Sequence, residues 1–120
     1  MSIWRTVALI LALVLAGASP AGAQVSPFGD SLDLEAEDVE MLKAAAAALF
    51  ADDGARLGDT RTWSNPASGN TGSVSLIKTF EHQGLPCKRV QHHVKQKGRS
   101  DQVVYQFARC RTSDGTWRLL

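Results

Sequence analysis

The sequence has 120 residues, with 13 lysines and arginines against 12 aspartates and glutamates, a net charge of +1 with neutral histidines. That length holds one domain of ordinary size and excludes two. After residue 23 no segment is apolar enough to span a bilayer.

Residues 1–23 read as a cleavable secretory signal. Arg5 supplies positive charge, Val7 to Gly17 is an unbroken apolar run, Pro20 breaks it, and Ala21-Gly22-Ala23 presents small residues for a signal peptidase. The apolar run is roughly half of the ~20 residues that a spanning helix needs, which favours cleavage over anchoring. No cysteine closes the run to receive a lipid, so a soluble mature chain beginning near Gln24 is expected in the periplasm, with outer-membrane association left open.

Residues 24–58 divide into a linker and an acidic amphipathic helix. Pro27 and Gly29 mark residues 24–32 as loop, and the helix is expected over 33–52. Asp33 suits an N-cap, and Glu35, Glu37 and Asp38 place negative charge in the first turn, where the helix dipole favours it. Val39, Leu42, Ala46 and Leu49 recur at helical spacing, widened by Met41, Ala45 and Phe50. Alanines fill every position from Ala44 to Ala48, giving high helix propensity and room for close packing. Gly54 is a natural residue to follow the C-terminus.

Residues 59–120 read as an antiparallel β domain. Turn chemistry recurs at Asn65-Pro66-Ala67-Ser68-Gly69-Asn70, Gln83-Gly84, Lys97-Gly98 and Ser113-Asp114-Gly115, with strands between, roughly 60–64, 72–82, 86–95, 102–111 and 116–119. Val74, Leu76 and Phe80 alternate, and Lys78 breaks the pattern. Folding the chain about Gly98 so that Cys87 faces Cys110 also sets Val90 against Phe107, His92 against Tyr105 and Val94 against Val103. One register thus accounts for a disulfide and for an apolar face that the helix covers, while Arg89, Gln91, His93 and Gln106 share the other face with the cysteines. An exported chain with two cysteines is expected to oxidise them, and closing this loop should contribute about 3 kcal/mol to a domain too small to be very stable by core alone. The fold class is therefore α+β, one helix on a sheet of about five strands.

The charge is segregated. From Gln24 to Thr60 the acids Asp30, Asp33, Glu35, Glu37, Asp38, Glu40, Asp52, Asp53 and Asp59 face only Lys43 and Arg56, whereas from Arg61 onward bases outnumber acids. The two halves can attract each other within the fold, or the outer sheet face can meet an anionic partner: lipid headgroups, a polyanionic glycan or an acidic protein patch. On the second reading the contacts are Lys88, Arg89, Lys95, Lys97, Arg99, Arg109 and Arg111, with the Asn65–Gly72 loop, including Asn70, as a second surface. Trp63 and Trp117 serve either as binding platforms or as core of the terminal strands. Nucleic acid is not expected to be the partner of an exported protein.

Chemistry is sparse. His92 and His93 are neighbours on a strand and point to opposite faces, so they cannot easily share a metal. Ser64, Ser68, Ser73 and Ser75 lie in a turn or on a strand and not in a strand-turn-helix nucleophile setting. Gly69-Asn70-Thr71-Gly72 lacks the lysine of a phosphate loop. No catalytic residue, metal or cofactor is expected.

Trp63-Ser64-Asn65-Pro66-Ala67-Ser68-Gly69-Asn70-Thr71-Gly72-Ser73-Val74, then Cys87-Lys88, Cys110-Arg111 and Asp114-Gly115-Thr116-Trp117 resemble, in order and spacing, the C-terminal domain of the rickettsial 17 kDa surface antigen family. The resemblance covers about half of the chain. It implies a cell-envelope protein, mostly antiparallel sheet, and brings no catalytic residues. The lipid-bearing cysteine and glycine-rich segment of many members are missing here. The expected function is a non-enzymatic envelope protein of surface-antigen type that binds an anionic envelope component or a protein partner. The alternative is a periplasmic inhibitor of a wall-degrading enzyme such as lysozyme.

Overall fold

The computed structural model describes residues 32–120; the expected signal, 1–23, and most of the linker lie outside them. Among the described residues one helix, α1 (Ala36–Ala51), precedes five strands, β1 (Thr60–Asn65), β2 (Asn70–His82), β3 (Leu85–Lys95), β4 (Gln102–Arg111) and β5 (Trp117–Leu119). The strands form one antiparallel sheet in sequence order. The connections between strands are therefore local turns. The turn between β2 and β3 places both Gln83 and Gly84 at positive φ, 51° and 77°, the backbone of a tight two-residue hairpin that suits strand twist.

The β3–β4 register is the one expected from the cysteines: Cys87 opposite Cys110, Val90 opposite Phe107, His92 opposite Tyr105 and Val94 opposite Val103. The two cysteines are joined across a Cα separation of 4.0 Å.

The helix starts later than expected. Asp33 is not its cap, because the backbone N–H of Asp33 donates to the side chain of buried Gln96 at 2.9 Å and holds that segment extended beside the sheet. Glu35 caps instead, its N–H bound by Asp38 one turn in. Leu42, Ala45, Leu49 and Phe50 are buried, while Val39 and Ala46 lie at the margin of the stripe. They meet Trp63, Val74, Leu76, Val90 and Val94 in a single core. Leu49 is completely buried, and burying a leucine stabilises by about 2 kcal/mol.

One expectation is corrected in β2. The register against β3 shifts between Leu76 and Lys78, a β-bulge that leaves Ile77 without an opposite residue. A bulge inserts one residue and reverses the faces of all that follow. Val74 and Leu76 thus face the helix, but Phe80 pairs with Cys87 on the opposite side. The break in alternation at Lys78 was the trace of this bulge.

Candidate functional site

Alternation, reversed once at the β2 bulge, sorts the sheet into two faces, and the basic residues do not stay together. Lys88 and Arg89 are consecutive, so they point opposite ways. Lys88 faces the helix. Its Nζ donates to the carbonyl oxygens of Leu49, Phe50 and Asp52 at 3.3, 2.9 and 2.9 Å. Those are orphan acceptors of the helix C-terminus, where positive charge is favoured. Burial lowers the Lys88 amine from its usual value, aided by Arg111 and opposed by Asp53 and Asp52. Arg109 shares that face, its guanidinium 5.8 Å from the Phe50 ring centre and within 3.4 Å of the Trp117 carbonyl. Arg111 reaches Asp53 at 3.7 Å, and Arg61 reaches Asp52 at 2.9 Å. The C-terminal end of the helix and the aspartates that follow it are thus met by several of the bases, in line with the intramolecular reading of the segregated charge.

The Asn65–Gly72 loop is the second place where side chains expected at a contact surface turn inward. Asp38 is fully buried. Its Oδ1 accepts from Asn65 Nδ2 at 2.8 Å and Ser68 Oγ at 2.6 Å; its Oδ2 accepts from Asn70 Nδ2 at 2.8 Å and Glu35 N at 2.9 Å. Burial alone would raise this carboxyl, yet the bonds from Ser68, Asn70, Asn65 and Glu35 outweigh it and hold the group below its ordinary range. The outer ends of the two amides are also used, Asn65 Oδ1 by Ala67 N and Asn70 Oδ1 by Lys97 N. Asn65 and Asn70 are therefore corrected from candidate contacts to buried struts that fasten the loop to the helix. Trp63 is likewise a core residue, 7% exposed. Lys97 and Arg99 belong to the β3–β4 turn, where Lys97 lies against Gly69 and Arg99 N bonds Gln96 O.

Of the seven expected basic contacts, only Arg89 and Lys95 lie on the helix-free face. The register adds two bases not anticipated there: Lys78, opposite Arg89 because of the bulge, and Arg118, opposite Cys110. Their strand positions share that face with the hydroxyls of β1 and β2, the amides of Gln91, Gln102 and Gln106, and His93. No strand residue on it is acidic. Lys78 and Arg89 flank the Phe80 ring, 5.4 and 5.9 Å from its centre. Arg118 is close enough to Asp114 in the adjoining turn to help lower that carboxyl, to about 2, behind the larger effect of hydrogen bonds from Thr112 and Thr116.

A shallow trough of roughly 460 Å³ crosses the same face, lined by Thr60, Thr71, Gly72, Ser73, Ser75, His93, Lys95 and Gln102. The polar groups in it and beside it are partly ordered by one another. Thr60 and Ser75 share a hydroxyl–hydroxyl bond of 2.8 Å, Gln106 donates to Gln91 at 2.9 Å, and Gln91 bonds the His93 ring at 3.0 Å. This arrangement can hold an anion or a hydroxyl-rich molecule. Among the described residues no three His, Cys, Asp or Glu side chains converge on a point that could bind a metal. No helix among them is long and apolar enough to cross a membrane.

A family model described as 17 kDa outer membrane surface antigen matches residues 51–118, which takes in the end of the helix and nearly the whole sheet. No curated protein and no solved structure gives a match.

Proposed function

This chain belongs to the 17 kDa outer membrane surface antigen family, and from that premise we propose that it is a non-enzymatic cell-envelope protein that binds an anionic envelope component through the helix-free face of its sheet. The observation that supports this reading is the charge of that face. Lys78, Arg89, Lys95 and Arg118 stand on it with no strand-borne acid to neutralise them. The other bases of β3 and β4, Lys88, Arg109 and Arg111, are occupied with the helix and its flanking acids. A surface of one sign attracts an opposite partner and raises its local concentration.

The absence of catalysis is part of the proposal. Ser73 and His93 are cross-strand neighbours in the trough, but the imidazole is engaged by the Gln91 amide, and the strands around it carry no carboxylate that would orient it as a base.

The test is binding of the full chain to vesicles of phosphatidylcholine doped with an anionic envelope lipid, across a salt series. Binding is expected to weaken steeply as salt rises, and to drop in Arg89→Gln and Lys95→Gln while Lys43→Gln, on the exposed helix surface, leaves it unchanged. Binding that ignores salt and these substitutions refutes the reading.

A further inference from the structure

The bases on the helix-free face are not spread evenly, and their spacing bears on what the anion is attached to. Arg89 and Lys95 lie on the same strand with Gln91 and His93 between them in alternate positions. At about 3.3 Å per residue this sets the two backbone positions roughly 20 Å apart. Lys78 and Arg118 gather at the Arg89 end, around Phe80 and the disulfide. The stretch between the two poles carries no Lys, Arg, Asp or Glu and is mostly hydrogen-bonding, with Val104 opposite His93.

We propose that the ligand of this face is an anionic saccharide, whose acidic groups meet the cationic poles and whose hydroxyls lie along the neutral floor. The inference rests on the binding role proposed above and narrows it. Two features favour a sugar over the other anionic partners. A protein partner would need desolvated apolar or aromatic anchors, and this face offers little of that: Val104 is half exposed, and Phe80 is only partly accessible beside its two cations. A plain phospholipid headgroup presents one phosphate and at most a few hydroxyls, too small to engage both cationic poles and the hydroxyl and amide array between them. That array suits a molecule that donates and accepts at every ring. It is also preordered, since Gln106, Gln91 and His93 are bonded in a row, so less side-chain entropy is lost on binding. The guanidinium of Arg89 adds a planar fork that matches phosphate or carboxylate oxygens two at a time.

The experiment compares the full, disulfide-bonded chain on three phosphatidylcholine vesicles: one doped with lipopolysaccharide, one with phosphatidylglycerol at equal surface charge, and one with a neutral glycolipid. The expected result is binding at least about tenfold tighter to lipopolysaccharide than to phosphatidylglycerol, a gap of ~1.4 kcal/mol. Ser73→Ala with Gln102→Ala should shrink that gap while leaving phosphatidylglycerol binding as it was, and Arg89→Gln with Arg118→Gln should weaken binding to both. Unchanged thermal unfolding verifies that each variant is folded. Equal affinity for the two anionic vesicles overturns the saccharide inference and leaves the electrostatic reading standing. Absence of binding to either anionic vesicle, or binding to the neutral glycolipid as tight as to lipopolysaccharide, overturns both.

Discussion

The indole of Trp63 fills the space that a side chain at position 72 would need. The two residues are cross-strand partners, and a Cβ built on Gly72 would come within 2.5 Å of the indole Cε2. A change at either position is felt at the other. Gly72→Ala should destabilise the fold by about 1–3 kcal/mol through overpacking, read as a lower midpoint of denaturant unfolding with an unaltered slope. In the Trp63→Phe background the same alanine should cost less, and simple additivity of the two changes would speak against the contact.

The carboxylate of Asp38 ties the first turn of the helix to the turn between β1 and β2. Asp38→Asn replaces one acceptor oxygen by an amide group that must face two donors. A loss of about 3 kcal/mol or more is expected, because charge-assisted bonds go and buried donors are left unmatched. Ser68→Ala removes one donor and should cost about 1–2 kcal/mol. Hydrogen exchange of the Ala67–Asn70 amides checks whether the damage is centred on this loop. Protection that survives in Asp38→Asn would contradict the assigned role.

Lys88 and Arg89 are neighbours in sequence with separate duties. Lys88→Met should lower stability by about 2 kcal/mol, since three helix-end carbonyls lose their charged donor, and should scarcely affect binding of anions. Arg89→Met should do the reverse. Paired measurements of unfolding and of vesicle binding on the two variants decide the matter, and matching profiles would remove the division between the faces.

His92 makes stability depend on pH. Burial above all, with the nearby charge of Arg109, lowers its pKa from 6.5 to about 4. The unfolded chain therefore takes up its proton first as pH falls. Stability should decline between about pH 6.5 and 4, by on the order of 3 kcal/mol, and the contribution of Asp38 is lost only further down, below the ordinary carboxylate value. His92→Phe keeps an aromatic ring against Tyr105, which stacks on the imidazole at 5.1 Å, and should flatten the curve over that interval. A slope that persists in this variant would assign it to another group.

Two cysteines, strand-length runs and turn residues were enough to place all five strands within a residue or two of their ends and to align β3 with β4. Local pattern carries that much because a side chain's face depends only on parity and because turns are built from neighbouring residues. The sequence marks the interruption of parity only as a polar Lys78 in an apolar run, and does not show that the residues after it change face. The bulge at Ile77 places Phe80 and Lys78 on the far face. Nor could it show which polar residues are spent internally. Asp38, Asn65 and Asn70 read separately as a helix-start acid and two loop amides, and their burial around one carboxylate exists only once helix and loop are packed together, 27 and 32 residues apart along the chain. The same holds for the basic residues, whose charge is evident from composition but whose direction is not. The sequence by itself determined the elements, their order and the disulfide, since these follow from short-range chemistry. Tertiary structure alone decided which charges remain for a partner, since that requires knowing which of them the helix has already taken.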